Sequence, residues 1–581
     1  MIFLSAQPDD FYFSWQIELQ IFNFKNCGIE PGNMHILIGY DQKRGLRKSF
    51  EDIIFKNPDI KIFAYPDIRI GKKYPSSIRP NIIKQHFQAF PELENEVVFY
   101  HDSDIIFRTL PDFQKLKKGH YWFVSDTKSY INTDYIISSG SRELFLEMCH
   151  TVNITPQTVL ENDANAGGAQ YLLKNVTYNY WCKVEKDCEA LFTILTRFNN
   201  ANAEKEYESN GKKRSEHTGI QAWCADMWAV LWNALLYGYE VKIDHELDFC
   251  WPDEAIKRWH DCKILHYTGG SISAKPRSFC KVEYTQYPPY DEDLSSINNQ
   301  TCSKIMVELI NDYKQHQRKN RINLRDTSFL IPVSIDSDDR LENLLLVTRW
   351  LDKFFDTNII IGECGNVGKI PQSKLPKDCQ LFFFPNENKI FNHVWLNNQL
   401  IQRARTHIIA IYDTDIVLHT QQIIDSVALL RDNHADMVSP YDGTFVGVDN
   451  LFKIAFNKLT DADLFYQNCY KFHTATKRSW GGAIFTKKDL YMASGGDNEF
   501  FKSWGPEDIE RVKRMENLGH RVKRVNGPLF HLPHTRKENS GYLNSVVYMN
   551  YMEEYLKICR MHKNELQTYV NNWPWKKSLT E

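Results

Sequence analysis

No stretch of this 581-residue sequence approaches the roughly 20 consecutive apolar residues that a membrane helix needs. The opening run, Met1-Ile2-Phe3-Leu4-Ser5-Ala6-Gln7, is too short for a secretory signal and has no basic leader. It reads as a first core strand. The 13 cysteines are scattered and form no CxxC pair, which argues against a disulfide framework and against a structural zinc site. A dominant charge is also lacking. The net charge is −3, and the basic runs Lys115-Leu116-Lys117-Lys118 and Gly211-Lys212-Lys213-Arg214 are offset by acidic neighbours, so no electrostatic footprint for nucleic acid is present. These absences predict a soluble, cytoplasmic protein with no integral membrane segment and no nucleic-acid partner. The length exceeds what one hydrophobic core supports. Aromatics are plentiful at 13 %, which suits both large cores and sugar-binding walls.

The chain repeats one grammar. A strand over Ile2–Ala6 is followed by a helical stretch over Trp15–Cys27 and a strand over Met34–Gly39. A later strand, Val97-Val98-Phe99-Tyr100-His101, ends in Asp102-Ser103-Asp104. The second half reads the same way. The strand Ser328–Val333 leads to Asp336 and Arg340, then come a helix over Leu341–Phe355 and a strand over Asn358–Gly362. The apolar run from His407 to Tyr412 ends in Asp413-Thr414-Asp415. Strands alternating with helices predict α/β units with largely parallel sheets, which bind ligands beyond the carboxyl ends of their strands. Turn-rich sequence near Pro288-Pro289 and a helical stretch over Cys302–Gln317 separate the halves, with the boundary near residue 320. The expected segments are 1–290, a linker 291–326, 327–545, and a helical tail 546–581.

Paired carboxylates at a strand end suit a hard divalent cation, which prefers oxygen ligands. A cation held there neutralises the diphosphate of an activated sugar. In the first half, His266 follows a short apolar strand and is a candidate third ligand beside Asp102 and Asp104. The Gly269-Gly270 pair permits a close backbone approach to phosphates, and Lys275 stands beyond it to pair with them. Asp226, in Trp223-Cys224-Ala225-Asp226, opens a helix. It touches donor hydroxyls, acts on the acceptor, or simply caps the helix. In the second half Asp413 and Asp415 repeat the acid pair. Pro332, Asp336 and Arg340 close the first strand, where an Asp can bond a base or ribose and an Arg a phosphate.

The densest signal is Trp480-Gly481-Gly482, then Gly495-Gly496, then Trp504-Gly505-Pro506-Glu507-Asp508. Sugar transfer with inversion needs a base for the acceptor hydroxyl, a flat apolar wall and close backbone approach. Carboxylate, tryptophan and glycine supply these within about thirty residues. Glu507 and Asp508 also suit the first turn of a helix.

Ser5-Ala6-Gln7, Trp15-Gln16, Pro31-Gly32-Asn33, Tyr74-Pro75, Arg79-Pro80 and His101-Asp102-Ser103-Asp104 resemble, in order, peptidyl-serine α-galactosyltransferases and hydroxyproline arabinosyltransferases. His266-Tyr267-Thr268-Gly269 with Lys275-Pro276 resembles the end of glycogenin-like retaining transferases. This likeness spans roughly residues 1–285. It implies a GT-A fold, a nucleotide-sugar donor, Mn²⁺ and retention. It assigns Asp102, Asp104 and His266 to metal, Lys275 to phosphate, and Arg79 and Lys84 to the nucleotide. Residues 327–540 resemble β1,4-galactosyltransferases and chondroitin-synthase-like enzymes, with a front similar to family-2-type inverting transferases. That likeness implies Asp508 as catalytic base and His534 with His531 as ligands beside Asp415. Pro506, Ile509, Ser494 and His393 depart from the family pattern.

The expected protein is thus two GT-A (Rossmann-like) α/β nucleotide-diphospho-sugar transferase domains in tandem. Each takes one Mn²⁺ or Mg²⁺ and a donor such as a UDP-sugar, and the acceptor is a glycan, glycopeptide or lipid-linked sugar. The candidate catalytic residues are Asp508, Glu507 and Asp226. The donor set is Arg79, Lys84, Gly269, Lys275, Pro332, Asp336, Arg340, Trp480, Gly481, Gly482 and Trp504. Two other readings stay open: one catalytic domain beside a carbohydrate-binding module, and a sugar nucleotidyltransferase.

Overall fold

The computed structural model describes residues 1–268, 277–387, 390–535 and 542–580. The chain divides into two compact units, Met1–Lys314 and Gln315–Glu581.

The first unit contains strands β1 (Ile2–Pro8), β2 (Met34–Tyr40), β3 (Lys61–Pro66), β4 (Val97–His101), β5 (Ile105–Phe107), β6 (Trp122–Asp126), β7 (Gly167–Lys174), β8 (Val241–Ile243), β9 (Phe249–Cys250) and β10 (Ile264–His266). Seven of them form one sheet in the order β3-β2-β1-β4-β7-β6-β8. β1 to β4 run parallel to one another, and β7 runs antiparallel to both its neighbours. The centre of the sheet is apolar because both of its faces are covered. Alternate residues of β1 point to opposite sides. Ile2, Leu4 and Ala6 join a core with the helices Ile78–Ala89, Tyr178–Asn210 and Ala225–Leu236, while Phe3 joins another with the helix Phe11–Asn26. Asp10 starts that last helix by accepting the Tyr12 N–H at 2.9 Å.

The second unit holds β11 (Ile322–Val333), β12 (Phe355–Gly365), β13 (Cys379–Pro385), β14 (Ile408–Tyr412), β15 (Ile416–Val417), β16 (Met437–Ser439), β17 (Phe445–Gly447), β18 (His473–Thr476), β19 (Ala483–Lys487), β20 (Val522–Arg524) and β21 (Leu529–His531). Its large sheet runs β13-β12-β11-β14-β19-β16-β20. This is the order of the first sheet, strand for strand, and β19 is again the antiparallel member beside β14. The mixed α/β, Rossmann-like class expected from the alternating pattern is the class observed.

Each unit also has a small second sheet. β5, β10 and β9 form one, and β15, β21, β17 and β18 form the other. Both begin directly after the Asp-x-Asp that ends β4 or β14.

The stretch read as a linker is packed. Leu294, Ile297, Cys302, Met306, Leu309 and Ile310 share a core with Trp15, Tyr267 and Phe279 of the first unit. The end of the expected linker contributes the start of β11, where Ile322 and Asn323 pair with Phe355 and Asp356. Sequence polarity concealed this because the charges pair locally: Arg321 lies on Asp352, and Arg325 on Asp356 at 2.5 Å. The helical tail forms three helices, Ser545–Arg560, Lys563–Asn571 and Lys576–Thr580. The tail packs Ile558, Leu566, Val570 and Trp573 against Leu518. Among the described residues no helix is long and apolar enough to cross a membrane.

Arg514 is fully buried. It lies 2.8 Å from Glu510 and donates to the Gly496 carbonyl at 2.7 Å. Arg514→Met leaves the buried Glu510 carboxylate without its cation. It should cost about 3–5 kcal/mol, read as a lowered urea midpoint of the second unit's unfolding transition.

Candidate active sites

The two acid pairs are presented by the same construction. β4 and β14 are buried parallel strands whose chain turns sharply at its carboxyl end, Asp-x-Asp, and re-enters as β5 or β15. β10 pairs antiparallel with β5 so that His266 faces Ile105. β21 pairs antiparallel with β15 so that His531 faces Ile416. One further backbone bond closes each junction: the Tyr267 N–H donates to the Asp104 carbonyl at 3.0 Å, and the Leu532 N–H to the Asp415 carbonyl at 2.7 Å. In both units an imidazole is therefore hung over the second aspartate of the pair.

In the first unit the His266 Nε2 lies 3.5 Å from Asp102 and 3.3 Å from Asp104. The three ligand atoms fall within 4.8 Å of one another, a spacing that suits one hard cation with two carboxylates and a neutral imidazole. Gln170 stands 3.4 Å from the other ring nitrogen of His266 and orients it. The cluster lies in a cavity of about 420 Å³ whose wall includes Arg79, Tyr100, Tyr130, Trp223, Asp226, Trp251 and Lys281. Arg79, from the first turn of its helix, reaches Asp102 at 2.7 Å and Asp226 at 3.5 Å. Burial works to raise the Asp226 carboxyl and Arg79 works to lower it, and burial prevails. For Asp104, burial also works upward, but Lys281 and His266 outweigh it and hold the carboxyl well below the usual range.

Sequence reasoning missed Lys281, which pairs with Asp104, and also Tyr74, whose hydroxyl lies 2.7 Å from Asp226. No local pattern marks Lys281, and Tyr74 stands out only within a motif that gives it no contact, because only folding brings them to the strand end. Lys84, expected at the nucleotide, pairs instead with Glu185 and is not in the cavity wall. Five residues beyond Arg79 on one helix, it points another way. Gly269 and Lys275 lie outside the described residues.

In the second unit Asp415 is the hub. His534 Nε2 lies 3.1 Å from one of its oxygens and His531 Nε2 3.7 Å from the other, and Arg340 stands at 3.6 Å. Asp415, His531 and His534 form the second group of three ligand atoms within 4.8 Å. Arg340 is itself held by Asp336 at 3.1 Å. Pro332, near the end of β11, pairs in register with Gly362. The Asp415 hydrogen bond to His534 raises that imidazole above its ordinary range.

Asp413 is not part of this group of three. Its carboxyl, open to solvent on one side, is pushed up to about 7 by the protein around it and by the charges of Asp415 and Asp508.

The acid-rich turn starts the helix Glu507–Asn517. Glu507 is buried against His393 at 3.2 Å, whereas Asp508 is about one-third exposed. Arg511 takes one Asp508 oxygen at 2.8 Å. The other lies against Gly481, where a Cβ would come within 2.5 Å of it and push the carboxylate aside. Gly482 has φ +92° and would drive a Cβ into Leu529. Its carbonyl accepts the Asp413 N–H at 2.9 Å. The two glycines thus hold the acid pair and Asp508 side by side. Trp480 stacks under Arg524 at 3.4 Å, and Trp504 is 45 % exposed.

Burial works to lower the His393 imidazole, but Glu507 outweighs it and raises the ring to about 9. A raised histidine contributes stability that is complete below its unfolded value near 6.5 and is lost as pH rises through about 9. His393→Gln should therefore cost about 2 kcal/mol near pH 6.5 and almost nothing above pH 10, measured by urea unfolding across that range.

Residues 465–537 match the family model described as the N-terminal domain of galactosyltransferase. No curated protein sequence matches the chain. Among solved structures, a TarS fragment from S. aureus in complex with UDP-GlcNAc shares 10 % identity over 43 % of this chain and 72 % of its own, with a TM-score of 0.30. The catalytic domain of Drosophila β1,4-galactosyltransferase 7 with xylobiose shares 17 % over 41 % and 82 %, TM-score 0.26. The mannosyltransferase PcManGT from Pyrobaculum calidifontis with GDP-Man and Mn²⁺ shares 15 % over 44 % and 72 %, TM-score 0.27. The family match falls on the stretch that carries Gly481, Gly482, Glu507, Asp508, His531 and His534, and with it the second unit carries a glycosyltransferase domain.

Proposed function

We propose that both units bind a nucleoside-diphosphate sugar through a divalent cation, and that the chain transfers sugars to a carbohydrate-bearing acceptor from two sites in tandem. One observation carries this reading: an Asp-x-Asp strand end with an imidazole over its second aspartate occurs twice, at the same place in the same strand order and in the same register. Asp102, Asp104 and His266 would hold the cation in one unit, and Asp415, His531 and His534 in the other. When bound, Mn²⁺ or Mg²⁺ supplies charge to the leaving diphosphate.

The remaining work falls to side chains of the protein. In the second unit Arg511 fixes one oxygen of Asp508, which leaves the oxygen beside Gly481 to take the proton of the acceptor hydroxyl as the sugar carbon is attacked from the opposite face. Arg340, anchored by Asp336, stands 3.6 Å from Asp415, where it would pair with a donor phosphate. His393 keeps Glu507 paired in the first turn, so Asp508 alone is presented outward. In the first unit Asp226 occupies the matching place, second residue of the helix that precedes the last strand of the sheet, just as Asp508 does.

A second reading has its own support. Arg79 and Lys281 already neutralise Asp102 and Asp104, which suits a first unit that grips a diphosphate or a sugar with side-chain cations and leaves transfer to the second.

Asp508→Asn should lower turnover by about 10²–10⁴-fold, measured as nucleotide release from a screened panel of sugar nucleotides. Mn²⁺-dependent nucleotide affinity should persist in that variant by calorimetry. Unaltered turnover would remove Asp508 from its role. Asp415→Asn and Asp102→Asn, made separately in the full chain, should each abolish Mn²⁺-dependent binding at one of two sites. If Asp102→Asn leaves cation-dependent binding intact, the second reading stands.

A further inference from the structure

The cavity of the first unit has an outer edge that the assignments above leave without a role. Trp223 is 59 % exposed, yet it lines the same cavity as Asp102 and Asp226. A single exposed apolar side chain needs no explanation by itself. The backbone that carries this indole, however, is held in place. The Tyr74 hydroxyl lies 2.6 Å from the Trp223 carbonyl and 2.7 Å from the Asp226 carboxylate, so one group ties the tryptophan backbone to the acid three residues on. The Tyr130 ring stands 6.4 Å away, tilted by 31°, and lines the same cavity. Gln221 adds a polar group at the same edge. The acid cluster lies deeper, with Asp104 and His266 buried.

The second unit offers a parallel in sequence: Trp504 is 45 % exposed, stands four residues before Asp508 and packs edge-on against Tyr542 at 4.8 Å.

We propose that Trp223, with Tyr130, is the stacking platform for a pyranose ring of the acceptor in the first unit. The inference rests on the reading of that unit as a sugar-transfer site. The C–H face of a pyranose is apolar and matches an indole face, while its ring hydroxyls suit the Asp226 carboxylate and the Gln221 amide. The occupant is an acceptor sugar: the deeper, cationic end with Arg79 and Lys281 suits the donor diphosphate, and the platform lies at the open edge. Trp223 and Tyr130 are specificity-determining residues, and neither exchanges a proton.

The experiment uses the full chain labelled with 5-fluorotryptophan and followed by ¹⁹F NMR. The resonance missing from Trp223→Phe identifies Trp223, and the one missing from Trp504→Phe identifies Trp504. The probes are the methyl glycosides of glucose, galactose, mannose and N-acetylglucosamine, with cellobiose, maltose and lactose, each added in the presence of UDP and Mn²⁺. The expected result is a saturable shift of the Trp223 resonance by at least one sugar, weakened about fivefold or more in Tyr130→Ala, as loss of one aromatic partner implies. If UDP with Mn²⁺ binds but no sugar moves that resonance, the platform is refuted and the donor-site reading survives. Should UDP with Mn²⁺ fail to bind at the first unit, both fall together.

Discussion

The backbone clip at the end of the acid-bearing strand is the constraint on which both sites depend. Three residues after a fully buried strand ends, the chain must re-enter as a short second strand, and that strand must pair antiparallel with the one carrying the histidine. Strand pairing is periodic by two, so a slip of one residue would carry the imidazole to the opposite face. The register His266–Ile105 and His531–Ile416 excludes such a slip, and the next N–H locks it to the aspartate carbonyl. The aspartate pair and a histidine far away in the sequence are thereby brought together by main-chain hydrogen bonds.

Around this clip each unit sets cations against most of its clustered acids. Arg79 bridges Asp102 and Asp226, and Lys281 covers Asp104. His393 covers Glu507, and Arg511 links Asp508 to the buried Asp497. Clustered carboxylates in a partly desolvated site repel one another, and each cation relieves that repulsion. Where the relief is incomplete, as at Asp413, the carboxyl is driven up to about 7. The helix starts supply the same kind of help, because the first turns at Ala225 and Glu507 carry partial positive charge toward their own acids.

The two units reach one architecture with different side chains. Arg79 and His393 both come from the first turn of the helix that precedes the acid-bearing strand, yet one is a fixed cation and the other titrates. His534 adds an imidazole to the second cluster, and the corresponding position of the first, Gly269, lies outside the described residues. The two units thus share a strand order and differ in the side chains set around it, and chemistry follows those side chains rather than the fold.

The sequence by itself determined a great deal. Apolar strands that end in Asp-x-Asp, repeated at the same point of two strand–helix series, were legible because a parallel strand buried on both faces needs a continuous apolar run and a chain break where ligands bind. Gly481, Gly482 and Asp508 were legible too, since each has a steric or chemical reason visible in its type. Only the tertiary structure decided which side chains meet. Lys281, Tyr74 and Trp251 come to the first site from 177, 28 and 149 residues away from Asp104 or Asp102 in sequence, on loops with no periodic signal. Lys84 and Arg79 look equivalent in the sequence, but helical rotation sends one to Glu185 and the other to Asp102. Local pattern reports burial and backbone conformation, whereas a site is a convergence of long-range contacts, and those are set by packing and register across the whole sheet.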